Sequence, residues 1–178
     1  LEPHFDGDTK PEFQHLKTVF RENFELGLER AGASLAVYHK DRIVANLWGG
    51  YADLESRRRW EKSTLSVAYS TTKAVTALIG AMLVDRGLLD YDTAVIRYWP
   101  EFGQHGKENV TVRQLLSHEA GLAAIDETIT KKDVASNWQQ LGRHVERQTP
   151  NWPPGTARGY HAVTYGWLLD QLLRRVDV

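Results

Sequence analysis

Tyr69-Ser70-Thr71-Thr72-Lys73-Ala74-Val75-Thr76-Ala77-Leu78 sets a cluster of small polar residues directly against an apolar run. From Ala74 onward Val75, Leu78, Ile79, Met82 and Leu83 recur at three- and four-residue spacing until Gly87. That periodicity predicts a helix over 70–86 with one buried face, and Ser70 near its N-terminus. Residues three apart share a helix face, so Lys73 stands one turn behind Ser70 with its amine in reach of the hydroxyl. A serine hydroxyl is a poor nucleophile until a base removes its proton. Lysine can be that base only when partly neutral, a state that burial and the positive end of a helix dipole promote. The chain has 7 serines, and at this composition a chance S-x-x-K turns up roughly a third of the time. The placement at the polar start of an apolar helix therefore carries more weight than the spacing.

The 178 residues are 42% hydrophobic and carry 22 basic against 23 acidic side chains. Such a chain can bury a sizeable core as one soluble domain or part of one, and nothing suggests disorder. The balanced charge gives no electrostatic footprint for nucleic acid or an anionic membrane, and neither is expected as a partner. The absence of cysteine excludes disulfides, thiolate catalysis and cysteine metal sites. No apolar run reaches membrane-spanning length and no signal-like segment follows Leu1, which leaves the compartment open with the cytoplasm as default.

Along the chain, Thr9-Lys10-Pro11-Glu12 reads as a capping box with proline in the first turn, and Phe13, Leu16, Phe20, Phe24 and Leu28 share one face of a helix over 10–30. After Gly32, Ala33–Tyr38 and Ile43–Trp48 are β-prone runs joined by His39-Lys40-Asp41-Arg42 and closed by Gly49-Gly50, a hairpin over 33–50. Asp53 to Lys62 reads as a solvated, arginine-rich loop. Thr111-Val112-Arg113-Gln114 is a second capping box, opening a short helix that ends at Gly121. Val134, Trp138, Leu141 and Val145 mark a further helix from Asp133, Pro150 to Gly155 a rigid loop, and Trp167, Leu168, Leu172 and Leu173 a last helix within a helical region over 110–178. Two strands alone do not complete a sheet, no other convincing strand is visible, and a C-terminal continuation is expected to supply the rest.

Other candidate sites are fewer. Tyr160-His161-Ala162 sits between the rigid loop and a helix, where a side chain can be held toward a cleft. Tyr160 could relay protons or simply pack its ring. Ser117-His118-Glu119 cannot be a triad, because neighbours on a helix point apart, and His118 reads as structural. No H-x-H or H-E-x-x-H spacing is present, so no metal site is expected. Neither phosphate-loop nor dinucleotide glycine motifs occur.

Ser70-Thr71-Thr72-Lys73, Arg86-Gly87-Leu88-Leu89-Asp90, the stretch from Thr111 to Leu122 reading T-V-R-Q-L-L-S-H-E-A-G-L, and Pro154-Gly155-Thr156 before Tyr160 together resemble the serine β-lactamase-related family. In order and spacing they are most similar to the branch holding class C β-lactamases, D-Ala-D-Ala carboxypeptidase-like enzymes, β-lactamase-fold esterases and animal β-lactamase-domain proteins. The resemblance runs from about Phe13 to Val176. It implies an α/β (α+β) fold of the β-lactamase/transpeptidase type, an antiparallel sheet beside a helical region, with residues 1–178 the N-terminal portion of a single domain whose C-terminal strands are missing. It implies Ser70 as acylated nucleophile, Lys73 as general base and Tyr160 as the tyrosine that shares proton transfer, with His161 and Ala162 as substrate-binding positions and no metal or cofactor.

Two departures shape the functional expectation. The family motif usually continues Tyr-x-Asn, where the asparagine amide helps hold the acylamide of a β-lactam or peptide; here the third position is Ala162. The Lys/His-x-Gly strand that supplies an oxyanion-hole amide should lie beyond residue 178. A serine hydrolase acting on a small ester or amide, esterase-type, is the expected function. A β-lactamase or D-Ala-D-Ala carboxypeptidase shares the mechanism, and a catalytically silent binding module is the reading from another class. Losing one oxyanion donor costs about a hundred- to a thousand-fold in rate, so residues 1–178 alone are expected to be inactive and to need the remainder of the domain. The oligomeric state is left open.

Overall fold

The computed structural model describes residues 2–176. Leu1, and the last two positions of the predicted helical region, Asp177 and Val178, lie outside the described residues. The chain divides into two compact units, Leu1–Val67 and Ala68–Val178.

The first unit is built around one long strand. Strand β3 (Arg42–Asp53) pairs antiparallel with β2 (Gly32–His39) on one side and with β1 (Phe5–Thr9) on the other, and its end pairs with β4 (Arg58–Arg59). The predicted hairpin is present, and its turn residues Lys40 and Asp41 have φ of 48° and 60°, the double positive φ of a two-residue turn whose twist matches that of its strands. Three expectations are corrected. The strand does not stop at Gly49-Gly50 but continues to Asp53. The segment 53–62 is not all loop, because Arg58–Arg59 joins the sheet. Most consequentially, Phe5-Asp6-Gly7-Asp8-Thr9 is a strand, in register from Phe5 opposite Gly49 to Thr9 opposite Ala45. Its acidic and glycine residues carry little strand propensity. Gly7 has φ +101°, and a Cβ there would run into the carbonyl oxygen of Asn46, so the residue that hides the strand is the one its backbone requires.

Because Thr9 belongs to β1, it cannot cap the following helix. Pro11–Phe13 forms a 3-10 turn with Lys10 before it and no side-chain cap, and helix α1 is confined to His15–Glu25. Its apolar stripe meets the sheet through Phe20 and Phe24, whose rings lie edge-on to Phe5 with centroids 6.2 and 5.1 Å away, and Val44, Ala45 and Leu47 of β3 are buried.

The second unit is helical. Ser70 lies not in an α-helix but in the 3-10 turn Tyr69–Thr71 that leads into α2 (Thr72–Asp85). The predicted buried face of α2 is only partly covered. Leu83 and Gly80 are buried, whereas Val75 and Leu78 are each 60% exposed. An almost wholly apolar helix offers more than one face, and α6 (Thr164–Val176) and the end of α3 (Val112–Leu116), with Leu116 beside Gly80, cover one strip of it. The capping box of α3 forms as read: Gln114 N–H donates to Thr111 Oγ1 at 3.1 Å and Thr111 N–H to Gln114 Oε1 at 3.0 Å. The helix expected from Asp133 is two, α4 (Lys131–Ser136) and α5 (Trp138–Arg147), because Asn137 leaves helical geometry (φ −150°, ψ 86°) and caps α5 by accepting from Gln140 N–H.

These helices enclose a core centred on Trp99 and Phe102, both fully buried, with Val95, Leu115, Leu122, Val145, Leu168 and Leu172. Two large polar side chains that enter it are paired. Trp99 Nε1 donates to Glu146 Oε1 at 2.7 Å, and Lys107, fully buried over the Phe102 ring, donates from Nζ to the carbonyls of Glu146 and Gln148 at 2.9 and 2.6 Å. Burial pulls the Lys107 ammonium down from 10.5 to about 8. Removing its amine would strand two buried carbonyls, so Lys107→Met is expected to destabilise the protein by roughly 2–4 kcal/mol in urea unfolding. A folded-state value below that of the unfolded chain means the unfolded state binds more protons between about pH 8 and 10.5, so the wild-type advantage over Lys107→Met should widen as pH rises through that window.

Candidate active site

The turn carrying Ser70 is conformationally restrained from its first residue: Tyr69 has φ 44°, a left-handed value that non-glycine residues seldom adopt. This bend leaves Ser70 exposed at the head of α2. One turn on, Lys73 is half-buried and its Nζ donates two hydrogen bonds, to Ser70 Oγ at 3.2 Å and to the carbonyl of Ala162 at 2.7 Å. The same Nζ lies 4.9 Å from the centroid of the Tyr160 ring, which is 56% exposed. Tyr160, distant in sequence from the neighbouring pair Ser70 and Lys73, thus meets them at one point of the second unit. The Ser70 hydroxyl first, and the Lys73 amine second, hold the Tyr160 phenol below its ordinary value of 10, as expected where neighbouring donors and a cation favour the phenolate.

The loop delivering Tyr160 is held by the segment Ser117–Leu122, whose backbone carbonyls accept a series of hydrogen bonds. Asn151 N–H donates to Gly121 O at 2.6 Å, Gly155 N–H to Glu119 O at 2.9 Å and Gly159 N–H to His118 O at 3.1 Å, and Thr164 Oγ1 donates to Leu122 O at 2.6 Å. Gly121 has φ +72°, and a Cβ there would meet the carbonyl oxygen of Trp152, so the strap and the proline loop approach too closely for any side chain at that position.

Ala162, expected at a substrate-binding position, is exposed beside Lys73 and contributes its carbonyl to that amine. His161 is different. Its ring is 0% exposed, Nε2 accepts from Leu122 N–H at 2.9 Å and Nδ1 donates to Gly159 O at 2.6 Å. Those partners fix the neutral tautomer, and burial holds its pKa below the usual histidine value. The expectation that the His161 side chain meets substrate is therefore corrected: both nitrogens are engaged with backbone, and the ring fastens Tyr160 to the strap.

His118, read from the sequence as a structural histidine, lies within this cluster. Its ring centroid is 5.2 Å from that of Tyr160, 4.8 Å from Tyr165 and 5.4 Å from His161. No local pattern announces this, because 42 residues separate it from Tyr160 and the contact comes from chain crossing alone. Among the described residues no group of three or more acidic, histidine or cysteine side chains could hold a metal ion, and no helix is long and apolar enough to cross a membrane.

The second unit thus gathers an exposed serine, a lysine amine on its hydroxyl and a tyrosine ring over that amine, and comparison with known proteins shows the family and the fold. A family model described as Beta-lactamase matches residues 20–177. A family VIII carboxylesterase structure is 42% identical with a TM-score of 0.86, over 97% of this chain and 46% of that one. A penicillin-binding protein homolog from Caulobacter crescentus is 41% identical with a TM-score of 0.88, over 98% and 46%. The fold is that of the β-lactamase/transpeptidase class. Esterase/beta-lactamase LipL of Mycobacterium tuberculosis is 35% identical over 175 residues, 96% of this chain and 39% of that protein. The chain belongs to the beta-lactamase family, and it spans less than half the length of each of these three relatives.

If the Ser70 hydroxyl is the main influence on the phenol, Ser70→Ala should return the Tyr160 titration toward the ordinary tyrosine value. NMR of labelled tyrosine checks this, and an unchanged Tyr160 titration would mean that Lys73 alone sets it.

Proposed function

We propose that the full-length protein, in which residues 1–178 supply the nucleophile end of one β-lactamase-like domain, is a serine hydrolase that acts through an acyl-enzyme on Ser70, with small esters as its preferred substrates. The observation that carries this reading is the contact of Lys73 Nζ with Ser70 Oγ at 3.2 Å, under the Tyr160 ring. In the proposed first step Lys73, having given up its resting proton to solvent, takes the proton of Ser70 Oγ as that oxygen attacks the substrate carbonyl carbon. The tetrahedral intermediate expels the alcohol, which takes that proton by way of the Tyr160 hydroxyl. Water then attacks the acyl carbonyl with Tyr160 and Lys73 removing its proton, and Ser70 leaves with a proton restored. The Ala162 carbonyl holds Lys73 aimed at Ser70 throughout. The heavy-atom bonds broken are C–O bonds, the protons travel between Ser70, Lys73, Tyr160, the alcohol and water, and no oxidation state changes, so the proposed steps call for no redox partner.

Ala162 favours esters over β-lactams. Its exposed methyl stands where the resemblance places an asparagine amide that grips an acylamide. A β-lactamase or peptidase reading is second, supported by the name of the Mycobacterium tuberculosis relative, which couples esterase and β-lactamase.

Intact-mass labelling of the full-length protein with a fluorophosphonate should give one adduct that Ser70→Ala abolishes; a folded protein that takes up neither this reagent nor a penicillin would favour a silent binding module. Lys73→Met is expected to lower kcat for p-nitrophenyl butyrate by about 10²- to 10⁴-fold. Ala162→Asn should shift the ratio of kcat/KM from ester toward penicillin. Residues 1–178 expressed alone should show no turnover, and full activity from them would refute the domain assignment.

A further inference from the structure

His118 touches the loop of Tyr160 at three successive residues. Its carbonyl accepts from Gly159 N–H at 3.1 Å, its ring packs against the Tyr160 ring with centroids 5.2 Å apart, and its Nδ1 accepts from His161 N–H at 3.1 Å. The residue is itself in a left-handed conformation, φ 66°, which turns its ring and carbonyl toward the same loop. On these contacts, and resting on the hydrolase reading for its consequence, we propose that His118 is a positioning residue whose neutral imidazole locks Tyr160 over Lys73, and that protonation of His118 releases it.

The chemistry of Nδ1 makes the lock pH-sensitive. A nitrogen that accepts a backbone N–H carries no proton, so the neutral ring bears its proton on Nε2. Protonating Nδ1 replaces an acceptor with a donor that faces the His161 N–H, and the bond is lost. The groups around the ring make that protonation costly. Burial is the first, the neighbouring His161 the second, and the cations of Lys73 and Arg158 follow; together they hold His118 below the usual histidine value. Tyr160 and Tyr165 are the other titratable rings against it, and the Glu119 carboxylate that would favour the imidazolium is held by Arg158 at 2.8 Å. At neutral pH the lock is therefore closed, and it opens on the acid side of the ordinary imidazole value of about 6.5. Protonation there also adds a cation beside Lys73.

Two substitutions separate this role from packing alone. His118→Phe keeps a ring against Tyr160 and removes the acceptor. His118→Asn keeps an acceptor, tolerates the left-handed backbone better than most residues, and cannot titrate. In the full-length protein, His118→Phe should lower kcat for p-nitrophenyl butyrate about 10- to 100-fold, the scale of a misplaced catalytic group, while KM stays nearly constant. His118→Asn should recover most of that loss and abolish the acid limb that His118 imposes on kcat. A wild-type kcat in His118→Phe, or an acid limb unchanged in His118→Asn, overturns the proposal. A second readout needs no turnover: the NMR signals of the Tyr160 ring should move with the His118 titration in wild type and not in His118→Asn. Signals that stay fixed while His118 titrates overturn the lock even if fluorophosphonate labelling has upheld Ser70. Failure of that labelling alone removes the hydrolase reading and leaves the lock to be decided by the titration.

Discussion

The two hydrogen bonds of the Lys73 ammonium are the constraint on which the candidate site rests. One reaches Ser70 on the same helical turn and the other reaches the Ala162 carbonyl, 89 residues along the chain. A single cation therefore joins the head of α2 to the loop that precedes α6. Charge-assisted bonds of this kind are stronger than neutral ones. The amine is held from two sides, so its position relative to Ser70 does not depend on the rotamer preferences of a long flexible side chain.

That arrangement requires the loop 150–162 to be rigid, and a set of hydrogen bonds from the segment Ser117–Leu122 is directed to this end. Ser117–Leu122 follows the short helix α3, whose capping box fixes where the helix starts and hence where the strap leaves it. The strap presents carbonyls to N–H groups at 151, 155 and 159, while His161 and His118 bind backbone N–H groups across the same gap. These bonds lie over a core in which Trp99, Phe102 and Leu168 are fully buried, so the scaffold beneath them has little room to relax. Sites held by such a supporting shell keep their geometry better than sites on free loops.

The same packing explains the division of labour between the two histidines of the cluster. His161 is enclosed and has both nitrogens committed, which makes it a fixed fastening. His118 is only partly enclosed, and its acceptor nitrogen depends on the ring staying neutral. Burial beside Lys73 and Arg158 serves that neutrality. A residue that holds another through the neutral form of its ring thus adds an acid-side pH dependence distinct from the titration of the residue it holds.

The contact of Ser70 with Lys73 was legible because S-x-x-K on a helical start is a local pattern, and the capping box at Thr111 and the hairpin turn at Lys40-Asp41 are local in the same sense. Ordered motifs also carried the family, since four of them in the right sequence leave few alternatives. Strand β1 was not legible: Asp6, Gly7 and Asp8 give no alternating pattern, and only the proximity of Asn46 explains why a glycine is needed there. The covered strip of α2 was equally hidden, because an apolar helix does not state which face its neighbours will take. The roles of His161 and His118 were decided wholly by tertiary structure. Their partners lie 39 and 43 residues away, and a hydrogen bond between segments so distant is set by where the chain crosses itself. The sequence by itself determined which side chains could do chemistry and which segments could be helix or hairpin; the tertiary structure decided which of them meet, because burial and long-range backbone pairing have no local signature.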